Sequence, residues 1–320
     1  MPDHNLKVVY IAGWGASGTT IIDNVLGQLD GWRSTGELHA LWPGLRDGRY
    51  RCGCGVWIGH CDFWRAVIEA GSGNGRGSRP DPALVVRWQD AAARMRRFPA
   101  IMRSVRAGSP PPAVAAYTEV SSRLYSAIAD VAGAKVIVDS SKVPSYAALL
   151  SLMPQVDAYV VHLVRDPRAA AHSWRRRGSR NVIDSTLHWL LWNLAVRDVR
   201  RTLAPERSIV VRYEDFARRP MSVIADIVGM TGEGEDAALP FVDEHTVRLA
   251  PNHTVSGNRS RFRTGEIRVE LDRAWERESP GFSRAASTLI SLPLLHSFGY
   301  HVAMRRRSDD QGGVDAGSLT

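Results

Sequence analysis

The amino-acid sequence predicts an α/β protein with a central parallel sheet and helices on both faces. Four short runs rich in β-branched residues are almost continuously apolar, which is typical of strands that are covered on both sides. Segments that can form helices lie between these runs, and this alternation favours a parallel sheet with right-handed crossovers. The 320 residues are sufficient to bury a substantial core.

The predicted strands occupy residues 7–12, 135–139, 158–164 and 208–213. The predicted helices occupy residues 19–29, 114–131, 144–152, 167–176, 184–203 and 220–230. Each strand is therefore followed by a helix, as the crossover pattern requires. Pro167 begins one of these helices, and proline is well suited to a first helical turn.

A Gly-, Arg- and Pro-rich stretch at residues 71–112 interrupts this alternation. It opens on GSGNGRGSRP and closes on SPPP, and the segment between these two can form a helix. We expect the stretch to be an insertion over the sheet, within a single domain of residues 1–308. The polar, Gly-rich residues 309–320 are expected to form a disordered tail.

The chain is basic, with 41 Lys and Arg against 33 Asp and Glu and a formal net charge of +8. This balance suits an anionic ligand, a nucleic acid or an acidic membrane surface, and local motifs must decide among them. No apolar run approaches the ~20 residues of a membrane span. The polar N-terminus lacks the pattern of a signal peptide, so we expect a cytoplasmic protein.

All three cysteines lie in the segment RCGCGVWIGHC at residues 51–61. Cys52, Cys54, His60 and Cys61 are four potential metal ligands, but Cys-x-Cys is tighter than the spacing of zinc knuckles. Adjacent His60 and Cys61 would also chelate a metal poorly. A reducing compartment argues against disulfides. The sequence alone therefore favours partly buried thiols, and we expect no bound metal.

The first predicted strand ends in a loop of small residues, GWGASGTT, that leads into a helix. Gly13, Gly18 and Thr20 match the spacing of the nucleotide-binding P-loop G-x4-G-K-[ST], but Thr19 occupies the lysine position. The backbone N–H groups of such a loop approach a phosphate closely, and the helix N-terminus adds partial positive charge. The sequence therefore predicts an anion cradle in a sheet of P-loop-like topology, without the lysine and the magnesium-binding acid of a nucleoside triphosphatase.

This loop resembles that of the sulfotransferases that use 3′-phosphoadenosine 5′-phosphosulfate (PAPS), whose pattern is P-K/R-S-G-T-T. The basic residue of the pattern is absent, because Ala16 stands in its place. The resemblance implies that the loop holds the 5′-phosphosulfate of PAPS. The residues implied are Gly15, Ala16, Ser17, Gly18, Thr19 and Thr20.

Three further segments resemble this family, in the expected order along the chain. Arg165 at the end of the third strand and Ser173, eight residues later, resemble the pair that clasps the 3′-phosphate; an arginine there can direct two N–H groups at one phosphate. Tyr213, in VRYEDF, resembles the tyrosine near the adenine. The segment HTVSGNRSRFR at residues 253–263 resembles the C-terminal phosphate-binding segment, which implies Arg261, with Arg263 behind it, as further ligands of the 3′-phosphate.

Glu37, in STGELH, is the candidate general base. It follows the first helix, so the chain can return there to the carboxyl edge of the sheet, where ligands of open α/β folds bind. It also resembles the proposed base of the carbohydrate and tyrosylprotein sulfotransferases. His39, two residues later, is the rival base.

Lys142, in DSSKVP, is the candidate cation of the reaction, because it stands where cytosolic family members carry their catalytic histidine. We expect it to neutralise the bridging or sulfuryl oxygens, with Ser140 assisting through a hydrogen bond. A sulfuryl group carries less charge than a phosphoryl group, so fixed donors and cations can replace a metal.

The resemblance implies a PAPS-dependent sulfotransferase of the bacterial, carbohydrate- or tyrosylprotein-like branch, acting on a hydroxyl of a small-molecule, glycolipid or carbohydrate acceptor. A degenerate P-loop kinase or nucleotide hydrolase is the nearest alternative, and the missing lysine and acid argue against it. A nucleic-acid-binding protein using Arg175–Arg177 and Arg305–Arg307 is a second alternative, which no basic-aromatic interleaving supports.

Overall fold

A five-stranded parallel sheet forms the centre of the protein in the computed structural model, which describes residues 5–72, 79–202, 205–234 and 238–302. The strand order is β2-β3-β1-β4-β5, and every neighbouring pair is parallel. The predicted parallel sheet is therefore confirmed, and its four predicted strands correspond to β1, β3, β4 and β5. The strands are β1 (Leu6–Ala12), β2 (Trp32–Ser34), β3 (Val136–Lys142), β4 (Val156–Val164) and β5 (Ser208–Arg212).

Helices connect these strands. From β1 to β3 they are α1 (Thr19–Leu26), α2 (Leu41–Asp47), α3 (Asp62–Gly71), α4 (Pro82–Ala92), α5 (Phe98–Ala107) and α6 (Pro112–Ala132). After β3 they are α7 (Pro144–Leu150), α8 (Pro167–Arg176), α9 (Val182–Thr202), α10 (Tyr213–Arg218), α11 (Pro220–Thr231), α12 (Ala274–Glu278) and α13 (Gly281–Leu295). Among these described helices, none has both the length and the apolar composition needed to cross a membrane.

The side chains of β1 alternate between two hydrophobic cores, one on each face of the sheet. Val8 and Tyr10 are fully buried among residues of α3, α4, α6 and α7. Val9 and Ile11 are fully buried on the opposite face among residues of α1 and α11. The predicted cover of helices on both faces is confirmed, and it explains why the strand is apolar throughout.

The described part of the predicted insertion packs into the first of these cores. Val85 of α4 and Met102 of α5 are buried in the same cluster as Val8. Residues 73–78 and the predicted tail at 309–320 lie outside the described residues. The helices of the insertion therefore share the core of the sheet.

The sequence patterns did not predict three of the described strands. Strand β2 has only three residues and pairs only with β3. The short strands β6 (Thr246–Leu249) and β7 (Gly265–Arg268) form a separate antiparallel pair. Strand β3 also continues three residues beyond its predicted end at Asp139, because Ala12 of β1 pairs with Lys142 after a shift in register.

Asp23 of α1 carries a buried carboxyl group that faces the sheet. Its Oδ2 accepts a hydrogen bond of 2.5 Å from the hydroxyl of Ser34 in β2. Burial raises the pKa of Asp23 to about 7, although hydrogen bonds from Ser34 and Ser140 lower it. The folded protein therefore keeps a proton on Asp23 at mildly acidic pH, where the unfolded chain has lost it.

The stability of the protein should carry a pH dependence that originates at Asp23. The unfolded chain releases this proton near pH ~4 and the folded protein near the raised pKa, so the contribution of Asp23 to stability is lost as pH rises between the two. Asp23→Asn removes this loss, and the free energy of unfolding of the variant relative to wild type should increase from about pH 5 to about pH 7.5. Urea unfolding at both pH values measures the difference; parallel curves for the two proteins would contradict the assignment.

Gly13, at the end of β1, is required by a close contact between neighbouring strands. Its φ is +156°, and a Cβ atom there would lie 2.2 Å from the carbonyl oxygen of Leu163 in β4. Gly13→Ala should lower the free energy of unfolding by about 2 kcal/mol or more, because backbone must move to relieve the overlap. Urea denaturation measures this loss. Gly229→Ala is the matched control, since a Cβ atom in that helical position meets no atom within 4 Å and should stabilise the protein by up to about 1 kcal/mol.

Candidate active site

A cavity of about 590 Å³ lies at the carboxyl edge of the central sheet. Every strand contributes a lining residue at or just beyond its carboxyl end, which is where ligands of open α/β folds bind. In strand order from β1 to β5 these residues are Gly13, Glu37, Lys142, Arg165 and Tyr213.

The loop between β1 and α1 forms one side of the cavity. Ala16 and Gly18 adopt left-handed backbone conformations, with φ of 68° and 86°. Helix α1 begins without a hydrogen bond from a side-chain cap, so its first N–H groups remain suited to an anion. Ser17 is buried and its hydroxyl donates to the carbonyl of Trp14 at 2.6 Å, within the loop itself. The other predicted members of the loop line the cavity: Gly15, Ala16, Gly18, Thr19 and Thr20.

Glu37 and Lys142 form an ion pair inside this cavity. The Nζ of Lys142 donates to Oε1 of Glu37, and the two side chains are 16% and 22% exposed, respectively. The backbone N–H of Glu37 donates to the carbonyl of Ser256 at 3.2 Å, which ties its loop to the C-terminal part of the chain. The structure therefore brings together the two residues that the sequence suggested as base and cation.

His39 also lines the cavity, but the burial of its ring sets its protonation state. Burial lowers the pKa of its imidazole to about 4, and its ring lies 5.5 Å from that of Tyr146. Its Nδ1 finds no hydrogen-bond partner in the described part of the chain. The ring is therefore neutral at physiological pH, and Glu37 has the charged partner that His39 lacks.

Arg165 contacts the loop at Ala16, the position where the family pattern has a basic residue. Its Nη1 donates to the carbonyl of Ala16 at 2.9 Å, and its Nη2 donates to Oδ2 of Asp272 at 2.9 Å. Its guanidinium also lies over the ring of Tyr213, 4.5 Å from the centroid. Tyr213 in turn packs so closely on Gly18 that a Cβ atom there would lie 2.6 Å from the ring. Arg165, Tyr213 and the loop after β1 therefore pack against one another.

Ser140 and Ser173 lie outside this cavity, contrary to their predicted roles. Ser140 is buried in β3, and its hydroxyl bonds to the carboxyl group of Asp23 in α1. Ser173 is half-buried in α8, and the next residue, Trp174, lines the cavity instead.

Arg261 and Arg263 are also outside the cavity. Arg261 is buried and donates to the carbonyls of Thr254 and Arg51, at 2.8 and 2.5 Å, so it holds loops together. Arg263 is exposed. The same segment reaches the cavity through Gly257, Asn258 and Ser260. The predicted segment therefore reaches the cavity, but through residues other than the two arginines that the sequence suggested.

A group of aromatic and cationic residues also lines the cavity, and the sequence motifs predicted no nucleotide-binding or catalytic role for them. The ring of Trp14 lies 5.6 Å from that of Trp174 and 5.1 Å from that of Trp192. The guanidinium of Arg180 lies 5.3 Å from the ring of Trp14, and Arg177 also lines the cavity. Trp14 lies inside the loop GWGASGTT and Trp174 directly follows Ser173, whereas nothing in the predicted helix at 184–203 distinguishes Trp192.

Comparisons with known proteins agree with this geometry. Among solved structures, the chain is similar to the sulfotransferase domain from the Synechococcus PCC 7002 olefin synthase, with a TM-score of 0.50. The two sequences are 21% identical, and the match covers 94% of this chain and 98% of that one. It also resembles the sulfotransferase domain from the curacin biosynthetic pathway, with a TM-score of 0.52 and 14% identity over 93% and 99% of the two chains. At such low sequence identity, this structural similarity shows the fold alone, which is that of a P-loop-like sheet. The comparison with curated proteins gives no match.

A sequence model of the sulfotransferase family matches residues 73–234, about half of the chain. The matched region contains the end of β3 with Lys142 and the end of β4 with Arg165, both of which reach the cavity. The fold, the cavity and this match lead to the same conclusion: the chain belongs to the sulfotransferase family.

Proposed function

We propose that this sulfotransferase moves a sulfuryl group from PAPS to a hydroxyl of a small-molecule, glycolipid or carbohydrate acceptor. The observation that carries the proposal is the Glu37–Lys142 ion pair in the same cavity as the loop of residues 13–20. A base, a cation and an anion cradle are the three groups that this transfer requires.

The charge of the cavity supports an anionic donor. Its described lining residues include the cations Lys142, Arg165, Arg177 and Arg180 and a single carboxylate, that of Glu37. Three of these cations already have a carboxylate partner, namely Glu37, Asp272 and Asp184, and the last two of these carboxylates lie outside the lining. The lining itself therefore carries an excess of positive charge that favours an anion. PAPS carries a phosphosulfate and a 3′-phosphate, so its charge complements this excess.

The residues that would hold PAPS lie on both sides of Tyr213. The N–H groups of the loop and of the first turn of α1 are suited to the 5′-phosphosulfate. Arg165 can direct its fork of N–H groups at the 3′-phosphate once that anion competes with Asp272. Asn258 accepts a hydrogen bond from the N–H of Ser260, which leaves its amide N–H groups free to donate to the nucleotide.

Glu37 and Lys142 have different roles in the transfer. Glu37 takes the proton of the acceptor hydroxyl as the acceptor oxygen forms its bond to sulfur. The bond between sulfur and the phosphate oxygen breaks, and Lys142 stabilises the negative charge on the oxygens around the sulfur. Because Lys142 already contacts Glu37, it also holds that carboxylate in position within the cavity.

Glu37→Gln should abolish most turnover while it leaves nucleotide binding intact. Loss of the base should lower the rate by roughly 10²- to 10⁴-fold, whereas the affinity for 3′-phosphoadenosine 5′-phosphate should stay within about twofold, because the amide retains the shape of the side chain. Transfer from radiolabelled PAPS to a panel of phenols, sugars and glycolipids measures the rate, and calorimetry measures binding.

Glu69→Gln is the matched control for this substitution, because Glu69 is exposed on α3 and outside the cavity. It should retain the wild-type rate. A Glu37→Gln enzyme of full activity would reject the base assignment. Phosphoryl transfer or hydrolysis with ATP and magnesium, and no transfer from PAPS, would favour the kinase or hydrolase alternative.

Arg165→Ala should weaken binding of the 3′-phosphorylated nucleotide selectively. Loss of charged hydrogen bonds should lower the affinity for 3′-phosphoadenosine 5′-phosphate by roughly 10- to 100-fold. The affinity for adenosine 5′-phosphate, which lacks the 3′-phosphate, should change far less. Calorimetric titration with both nucleotides gives the comparison. Arg263→Ala removes an arginine outside the cavity and should change neither affinity. An unchanged affinity of Arg165→Ala for 3′-phosphoadenosine 5′-phosphate would show that Arg165 does not bind the 3′-phosphate.

A further inference from the structure

Three cysteines and one histidine converge at a second site, outside the cavity. Cys52, Cys54 and Cys61 come from the loop before α3, and His253 comes from a segment almost two hundred residues later. One potential ligand atom from each of the four residues lies within 4.8 Å of the other three. All three cysteines are free thiols. This convergence unites two segments that are remote in sequence.

The separations of these atoms match a tetrahedral metal site. The Nδ1 of His253 lies 3.6 Å from the Sγ of Cys52 and 3.3 Å from that of Cys61, and the Sγ atoms of Cys54 and Cys61 are 3.8 Å apart. Zinc with bonds of about 2.3 Å to sulfur and about 2.0–2.1 Å to nitrogen requires about 3.8 Å between two sulfurs and about 3.5 Å between sulfur and nitrogen. These three separations already match those of zinc ligands, and the four ligand atoms all lie within 4.8 Å of one another.

We propose that Cys52, Cys54, Cys61 and His253 bind a structural zinc ion. Four protein ligands of the Cys3His type close the coordination shell, which is the signature of a structural rather than a catalytic zinc site. The sequence alone disfavoured zinc because the Cys-x-Cys spacing is tight and because adjacent His60 and Cys61 would chelate a metal poorly. The structure leaves His60 exposed and supplies His253 as the fourth ligand instead.

The surrounding chain is built to hold this geometry. Trp64 donates from Nε1 to the carbonyl of His253 at 2.8 Å, and the ring of Phe63 stacks on the imidazole with centroids 4.9 Å apart. The tight Cys-x-Cys spacing is accommodated by Gly53, whose N–H donates to the carbonyl of Thr254. A Cβ atom at Gly53 would lie 1.8 Å from the Oδ1 of Asn252, so only glycine allows this approach.

The charge around the cluster also suits the ion. Three thiolates, one neutral imidazole and Zn²⁺ leave about one net negative charge. Arg261 donates to the carbonyl of Arg51, the residue before Cys52, and the guanidinium of Arg33 lies 5.4 Å from the centre of the Phe63 ring that stacks on His253. These two arginines offset the charge of the ligands, and this gives the buried Arg261 a structural role.

The zinc site would fix the C-terminal wall of the cavity. His253 and Thr254 lead directly to Val255, whose N–H donates to the carbonyl of Thr35, and to Ser256, whose carbonyl accepts from Glu37. Gly257 follows and lines the cavity. An ion that anchors His253 therefore anchors the segment against which Glu37 is positioned.

Metal analysis of the purified full-length protein, with any affinity tag removed, tests the proposal without donor or acceptor. We expect about one zinc per chain by mass spectrometry of the digested protein. After chelation, the reduced protein should bind one equivalent of Co²⁺ and show the visible bands of tetrahedral cobalt thiolate. Zinc should also raise the melting temperature of the stripped protein, and magnesium should not. Negligible zinc together with no cobalt bands would overturn the proposal, and so would a disulfide detected by thiol titration.

His253→Ala and His60→Ala form the matched pair of variants. His253→Ala should lower metal content at least several-fold or shift the cobalt spectrum, whereas His60→Ala should retain the wild-type content and spectrum. Unchanged metal binding in His253→Ala would overturn the assigned ligand set. If His253→Ala does not fold, the wild-type content and spectrum, with His60→Ala as control, still decide. Because none of these measurements involves PAPS, failure of the zinc site leaves the proposed sulfuryl transfer to be judged by its own tests.

Discussion

The ion pair between Glu37 and Lys142 is the contact on which the arrangement of the cavity depends. It joins the loop after β2 to the last residue of β3, so it couples two neighbouring strands at the edge of the sheet. Lys142 has a left-handed φ of 71°, and its carbonyl accepts hydrogen bonds from the N–H of Gly13 and from Nε1 of Trp192. A non-glycine residue holds such a conformation only where the surrounding contacts impose it. The position of the cation is therefore set by the backbone before any substrate binds.

The positive charge next to the loop after β1 comes from distant parts of the chain. Ala16 leaves the loop without the basic residue of the family pattern, yet its carbonyl accepts a hydrogen bond from Arg165. Lys142, Arg177 and Arg180 face the same cavity. Charges close to one another in a partly buried site act strongly whichever element supplies them, so the loop sequence alone understates the attraction of this site for anions.

The sequence motifs located the segments that reach the cavity more reliably than the individual side chains that line it. Ser140 and Lys142 belong to one motif, but their side chains have different neighbours. The hydroxyl of Ser140 bonds to Asp23 of α1, whereas Lys142 follows a shift in strand register and lines the cavity. Arg261 belongs to the predicted C-terminal segment, but its N–H groups are spent on the carbonyls of Thr254 and Arg51. Which direction a side chain takes depends on register and on packing partners, and a motif specifies neither.

The sequence by itself determined the four longest strands of the sheet, the loop after β1 and the positions of Glu37, Lys142 and Arg165 at the sheet edge, because apolar periodicity and glycine spacing are local properties of the chain. The tertiary structure alone decided that Trp192 and Arg180 join this cavity and that His253 meets the three cysteines. These contacts join residues that are far apart in sequence, and their existence depends on how whole helices and loops pack. Local patterns therefore built the frame of the site, and long-range packing selected the side chains within it.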